Sequence, residues 1–105
     1  MKQGNEVSMR MRKMLCPGGS ADEKTFFCKV LKYDETKECI FLILENAAVT
    51  DISLDAIYEC RIWEAERGLR CSGRIRQRYH DEHGKMLEFK IENGFYKINL
   101  NSVDK

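Results

Sequence analysis

The sequence predicts an all-β domain of six or seven short strands, closed into a barrel or stacked as a sandwich. Turn-forming stretches recur at close intervals, and apolar and polar residues alternate between them. No amphipathic helix longer than a turn or two can be drawn. The clearest local element is a β-hairpin. Leu69, Cys71, Gly73, Ile75 and Tyr79 fall on one face of an extended chain, with Arg70, Ser72, Arg74, Arg76 and Arg78 on the other. A polar turn from His80 to Lys85 contains Gly84, which tolerates positive φ, and a second alternating run, Met86 to Ile91, follows.

The remaining elements fall in order. Val7, Met9 and Met11 alternate with Ser8, Arg10 and Arg12, the pattern of a first strand. Cys16-Pro17-Gly18-Gly19-Ser20 holds the single proline and reads as a loop, extended by Ala21 to Lys24. Thr25 to Tyr33 is rich in Phe, Val and Tyr, a second strand. Asp34 to Glu38 is a charged turn. Cys39 to Leu44 is a continuous apolar run of strand length, read as a central strand. Glu45 to Asp55 is irregular, Ala56 to Trp63 alternates again, and Glu64 to Gly68 turns into the hairpin. Asn93-Gly94 reads as a turn before a last strand, Phe95 to Leu100, and residues 101–105 as a polar tail.

One hundred and five residues form one domain: a first strand and flexible loop over 1–24, a barrel core over 25–100, and the tail. With 43% hydrophobic and 33% charged residues the chain can build one modest core. A net charge of +1 provides no global field toward nucleic acid or acidic membranes, so such binding would need a local patch. No apolar run approaches the ~20 residues of a membrane span, and the first fourteen residues lack a signal-peptide core. The expected location is the cytoplasm. Five cysteines, four of them inside apolar or alternating runs, read as buried thiols rather than a disulfide framework.

The order of elements resembles the N-terminal domain of flagellar brake proteins, which precedes a PilZ domain in two-domain cyclic-di-GMP receptors. Gly4-Asn5-Glu6-Val7-Ser8-Met9 is similar to that domain's opening G-x-x-V-x-L. Phe27-Cys28-Lys29-Val30-Leu31 resembles its next strand, and Tyr58 to Ile62 followed by Leu69 to Ile75 its later pair. Met86 to Ile91 resembles the strand after that. The resemblance covers nearly the whole chain and implies a small antiparallel split β-barrel of the kind also used by flavin reductases. It departs from the family at the end. Phe95-Tyr96-Lys97-Ile98-Asn99-Leu100 stands where the family has an arginine-rich R-x-x-x-R linker, and no PilZ motif D/N-x-S-x-x-G follows it. The implied function is a non-catalytic regulatory or protein-interaction module that does not bind cyclic di-GMP by itself.

Trp63 reads as an outward aromatic, a residue type enriched at interfaces. With Arg74, Arg76, Arg78 and Tyr79 it forms the expected contact surface for a protein partner. Arg74 and Arg78 also fit R-x-x-x-R, and Asp51-Ile52-Ser53-Leu54-Asp55-Ala56 resembles D-x-S-x-x-G. A degenerate nucleotide receptor using Arg74, Arg78, Asp51 and Ser53 is therefore an alternative; a flavin-binding split barrel, which would purify yellow, is another. The plain expectation for the arginine row is a solvated strand face, paired with Glu59, Glu88 and Glu92 at ~0.2–1 kcal/mol each. Arg70, Arg74, Arg76 and Arg78 with Tyr79 and Trp63 could track a nucleic-acid backbone, but acidic neighbours cancel much of that field. His80, Asp81, Glu82 and His83 lack the paired ligands of a zinc site and read as a hydrophilic tip, with no metal expected. Cys16 is the cysteine expected to be exposed, with no base to activate it. No nucleophile motif or phosphate loop appears, so neither catalysis nor a cofactor is expected.

Overall fold

The computed structural model describes residues 1–15, 24–65 and 67–98, with the backbone alone for 95–98. Six strands follow one another: β1 (Glu6–Met14), β2 (Thr25–Asp34), β3 (Cys39–Leu44), β4 (Ala56–Trp63), β5 (Gly68–Asp81) and β6 (Gly84–Ile98). They close into an all-antiparallel barrel in the order β1-β2-β3-β6-β5-β4, with β4 pairing back onto β1. The sequence bounds of β3 and β4 coincide with those observed. The expected loop over residues 16–20, its extension to 23, and the tail over 101–105 lie outside the described residues.

Alternation decides what fills the barrel. One face of every strand points inward and contributes to a single core that includes Val7, Met9, Phe26, Leu42, Tyr58, Ile62, Ile75 and Phe89. Phe26 and Tyr58 meet edge to face, with ring centroids 6.3 Å apart. No polar or charged residue is buried among those described. The run Cys39–Leu44 is apolar on both faces because its outward residues are also covered. Phe41 lies 4.9 Å beneath the Lys32 ammonium, and the Cys39 thiol reaches the Glu88 carboxylate at 3.7 Å. In a closed barrel no strand is more central than its neighbours; the covering side chains account for this continuous run.

Strands β1-β2-β3 and β4-β5-β6 are two meanders, and the segment Glu45–Asp55 joins them. It contains a 3₁₀ turn, Val49–Asp51, and places Ile52 in the core. Two cations of the β5–β6 hairpin hold its carbonyls: Arg78 donates to Ile52, and Lys85 to Ala47 at 2.6 Å.

Three expectations about the hairpin are corrected. Its turn is two residues, Glu82 and His83, rather than six, because Asp81 pairs with Gly84 and His80 with Lys85. His80 and Asp81 pair in the ladder with their side chains exposed, so polarity alone does not mark a turn. Gly84, at φ +116°, supplies the left-handed residue. Asn93-Gly94 is not a turn. It lies within β6, where Asn93 faces Ser72 amid register shifts in β5, and its amide donates to the Ser72 hydroxyl at 3.2 Å. The expected last strand is thus the end of β6, and the count is six rather than seven. Finally, the alternation of β5 breaks at a bulge between Ile75 and Gln77.

Candidate functional site

That bulge divides the expected arginine row. Arg76 is the extra residue, and Arg76 and Gln77 are both exposed. Beyond it the parity inverts. Arg78 stands opposite Leu87, a core-face residue, and turns to the Glu45–Asp55 segment. Tyr79, expected on the inner face, stands opposite Met86 on the outer one. Arg74 and Arg76 remain outside and line a depression of about 430 Å³ with Leu54, Ile75, Lys90 and Glu92. Each cation here has its own carboxylate. Arg74 meets Glu92 at 2.9 Å, Arg76 meets Glu88 at 4.0 Å, and Lys90 meets Glu38 at 3.3 Å. These pairs are largely exposed and add little stability. Their effect is to leave this depression close to neutral.

Asp51 and Ser53 lie near Arg78 in space, but both are engaged by the backbone of their own segment. The Asp51 carboxylate accepts from the Ala48 N–H at 3.1 Å, and the Ser53 hydroxyl from the Asp55 N–H at 3.0 Å. Arg74 lies on the opposite face of the sheet from Arg78. The four residues of the R-x-x-x-R and D-x-S-x-x-G likeness do not converge on one pocket.

Trp63 pairs with Gly68, the first residue of β5, while Arg74 begins six residues further along, roughly 20 Å at a strand's rise per residue. Trp63 and the Arg74–Tyr79 stretch are therefore separate surfaces. Trp63 has a different companion. Strand pairing puts Lys29, Glu6 and Trp63 in one outer row across β2, β1 and β4, and Phe27, Ser8 and Arg61 in the next. Phe27 is 51% exposed and Trp63 38%. With strands about 4.8 Å apart and a rise of about 3.3 Å, the two aromatics stand roughly 12 Å apart, separated by the small Ser8. The sequence places Phe27 only within a strand. Its outward direction follows from Phe26 pointing in, but its nearness to Trp63 depends on β1 lying between β2 and β4.

A second group lies beside them, built on Glu59, which the sequence suggests only as a partner of the arginine row. Glu59 stands opposite Arg10 on β1 and Ser72 on β5. Three guanidiniums approach its carboxylate: Arg12 at 3.5 Å, Arg61 at 3.6 Å and Arg70 at 3.7 Å. The β1 bulge between Met11 and Lys13 makes this possible, because it turns both Arg12 and Lys13 outward. Two adjoining depressions of about 240 and 330 Å³ share Arg12, Ser72 and Asn93 as lining.

The remaining candidates have structural explanations. Asp81 accepts from the His83 backbone N–H at 2.8 Å and stabilises the turn. No group of three or more potential metal ligands occurs among the described residues. Cys28, Cys39, Cys60 and Cys71 are buried free thiols. Burial, with a smaller effect from Glu45, pushes Cys28 up to about 12. Burial and then the Cys71 thiol push Cys60 well up, and burial and then Glu88 raise Cys39. Thiolate is the reactive form, so Cys28, Cys39 and Cys60 stay unreactive in the fold, and burial shields Cys71. Cys16 lies outside the described residues. In a Cys16→Ser variant, iodoacetamide at pH 8 is expected to label none of the four until denaturant unfolds the chain, as intact mass will show. Rapid labelling without denaturant would contradict the closed core. No family model, curated protein or solved structure matches this chain.

Proposed function

We propose that this barrel is a non-catalytic regulatory module that captures a protein partner through the outer face of β2, β1 and β4. The observation that carries the reading is the pair of exposed aromatics, Phe27 and Trp63, on one rigid sheet face. Burying such side chains supplies most of the energy of many interfaces. Lys29, Glu6 and Arg61 around them provide a polar rim. The resemblance to flagellar brake N-terminal domains supports a regulatory role related to PilZ-type signalling, and the engagement of Asp51, Ser53, Arg74 and Arg78 within the fold supports a barrel that does not hold cyclic di-GMP alone.

The test compares wild type with a Phe27→Ala/Trp63→Ala variant. The two melt at similar temperatures, because both side chains are exposed. The variant is expected to lose about 30-fold or more in partner affinity, the loss of one hot spot of about 2 kcal/mol. Equal capture by the two proteins from a cell extract overturns the reading. A parallel titration with cyclic di-GMP at low salt is expected to give no saturable heat. Saturable binding abolished by Arg74→Ala would replace this reading with a nucleotide receptor.

A further inference from the structure

We infer that the depression around Glu59, on the outer face of β1, β4 and β5, is a binding site for a phosphate monoester dianion. The inference goes beyond the aromatic contact and does not depend on it. It starts from a charge count. Glu59 is the only carboxylate among the described residues lining the two adjoining depressions. Arg61, 3.6 Å from it, already matches its charge. Arg12 and Lys13 then leave the site two charges positive, before Arg70 is counted. The lining beside Arg74 and Arg76 also holds one carboxylate, Glu92, but ion pairs to Glu88 and Glu38 just outside it give each of its three cations a carboxylate of its own, whereas Arg12, Arg61 and Arg70 share Glu59. The protein as a whole carries only +1, so the excess at Glu59 is local.

The second observation is how the site is built. Bulges in both flanking strands fall here, between Met11 and Lys13 in β1 and beside Ser72 in β5. One turns two cations to the same side. The other brings Ser72 and Asn93 together, so that the Ser72 hydroxyl and the Asn93 amide that donates to it line the same depressions as Arg12. A phosphate needs this combination: guanidiniums for its charge and neutral donors for its remaining oxygens. Glu59, one-sixth exposed, gathers the guanidiniums from three strands and acts as a positioning residue. A monoester carries about −1.5 to −2 at neutral pH and matches the excess. A phosphodiester carries one charge and does not.

The experiment is a calorimetric titration at low ionic strength with inorganic phosphate, phenyl phosphate, dimethyl phosphate and a single-stranded oligonucleotide. Inorganic phosphate or phenyl phosphate is expected to bind saturably at roughly millimolar affinity or tighter, and dimethyl phosphate about tenfold more weakly. Tighter binding of phenyl phosphate assigns the site to a phosphorylated organic group, and tighter binding of inorganic phosphate to the free ion. An Arg12→Ala/Lys13→Ala variant, altered only at exposed positions, should keep its melting temperature and lose about tenfold or more in affinity. Phe27→Ala/Trp63→Ala should bind phosphate as wild type does, so failure of the aromatic contact would be distinguishable from failure here. Absence of saturation by about 10 mM, equal affinity for dimethyl phosphate, or unchanged affinity in Arg12→Ala/Lys13→Ala overturns the inference. Tighter binding of the oligonucleotide, lost in the same variant, overturns it in favour of nucleic acid.

Discussion

Gly73→Ala is expected to destabilise the barrel by about 3 kcal/mol, the upper end of what overpacking costs. A methyl group there would collide with the Lys90 carbonyl oxygen and sit 2.9 Å from its carbon. Both are backbone atoms of the paired strand, so no rotamer change relieves the contact and the β5–β6 ladder must open. For a domain of this size the loss corresponds to roughly 12–24 °C in melting temperature, read by circular dichroism. Gly94→Ala is the control. Nothing lies within 4 Å of its added methyl group, so its effect should stay within about 0.5 kcal/mol. If the two variants melt alike, strands β5 and β6 do not approach each other at Gly73 as described.

Tyr58→Ala is expected to cost about 3–5 kcal/mol, as for other large aromatics deleted from a core. Tyr58 is fully buried, packs against Phe26, and its hydroxyl accepts the Ser53 N–H at 2.9 Å. Tyr58→Phe separates the ring from the hydroxyl. It keeps the packing but removes that acceptor from a part-buried donor, which should cost about 1–3 kcal/mol. Its local signature is faster hydrogen exchange at Ser53 and its neighbours, because the hydroxyl ties the Glu45–Asp55 segment to the barrel wall. Exchange at Ser53 unchanged in Tyr58→Phe would show that Ile52 burial, the Arg78 and Lys85 bonds and the hydrogen bonds at Glu45, Asn46 and Asp55 hold the segment without that hydroxyl.

The bounds of β3 and β4 were readable because turn chemistry flanks them and the apolar pattern is unbroken. The positions of Arg78 and Tyr79 were not. Ile75-Arg76-Gln77-Arg78-Tyr79 carries no residue that marks a bulge, and one extra residue inverts the face of everything after it. Asn93-Gly94 failed in the opposite way. It is a strong turn signal, used here at an irregular pairing inside a long strand. The group around Glu59 was beyond sequence reasoning for a topological reason. Its cations come from β1, β4 and β5, and β1 meets β4 only because the chain crosses between two meanders and the barrel closes. Single residues such as Arg61 could be placed on an outer face, but their convergence on one carboxylate could not.

Closure has one more consequence, for how anything can recognise this protein. An open sheet offers its last strand as a template, and many partners bind by adding a strand of their own to that row of free N–H and C=O groups. Here every strand has a neighbour on both sides, β1 and β4 included. Where two ladders flank a strand, as along Glu6–Arg10 of β1 and Tyr58–Trp63 of β4, main-chain pairing with a partner's strand would require breaking one of them. Along that wall a partner would instead have to read side chains, and the proposed contacts through Phe27, Trp63 and Arg12 are of this kind. The same closure leaves a second copy no strand border between β1 and β4 on which to stack, so the wall can carry exposed aromatics there without presenting them on a surface that propagates.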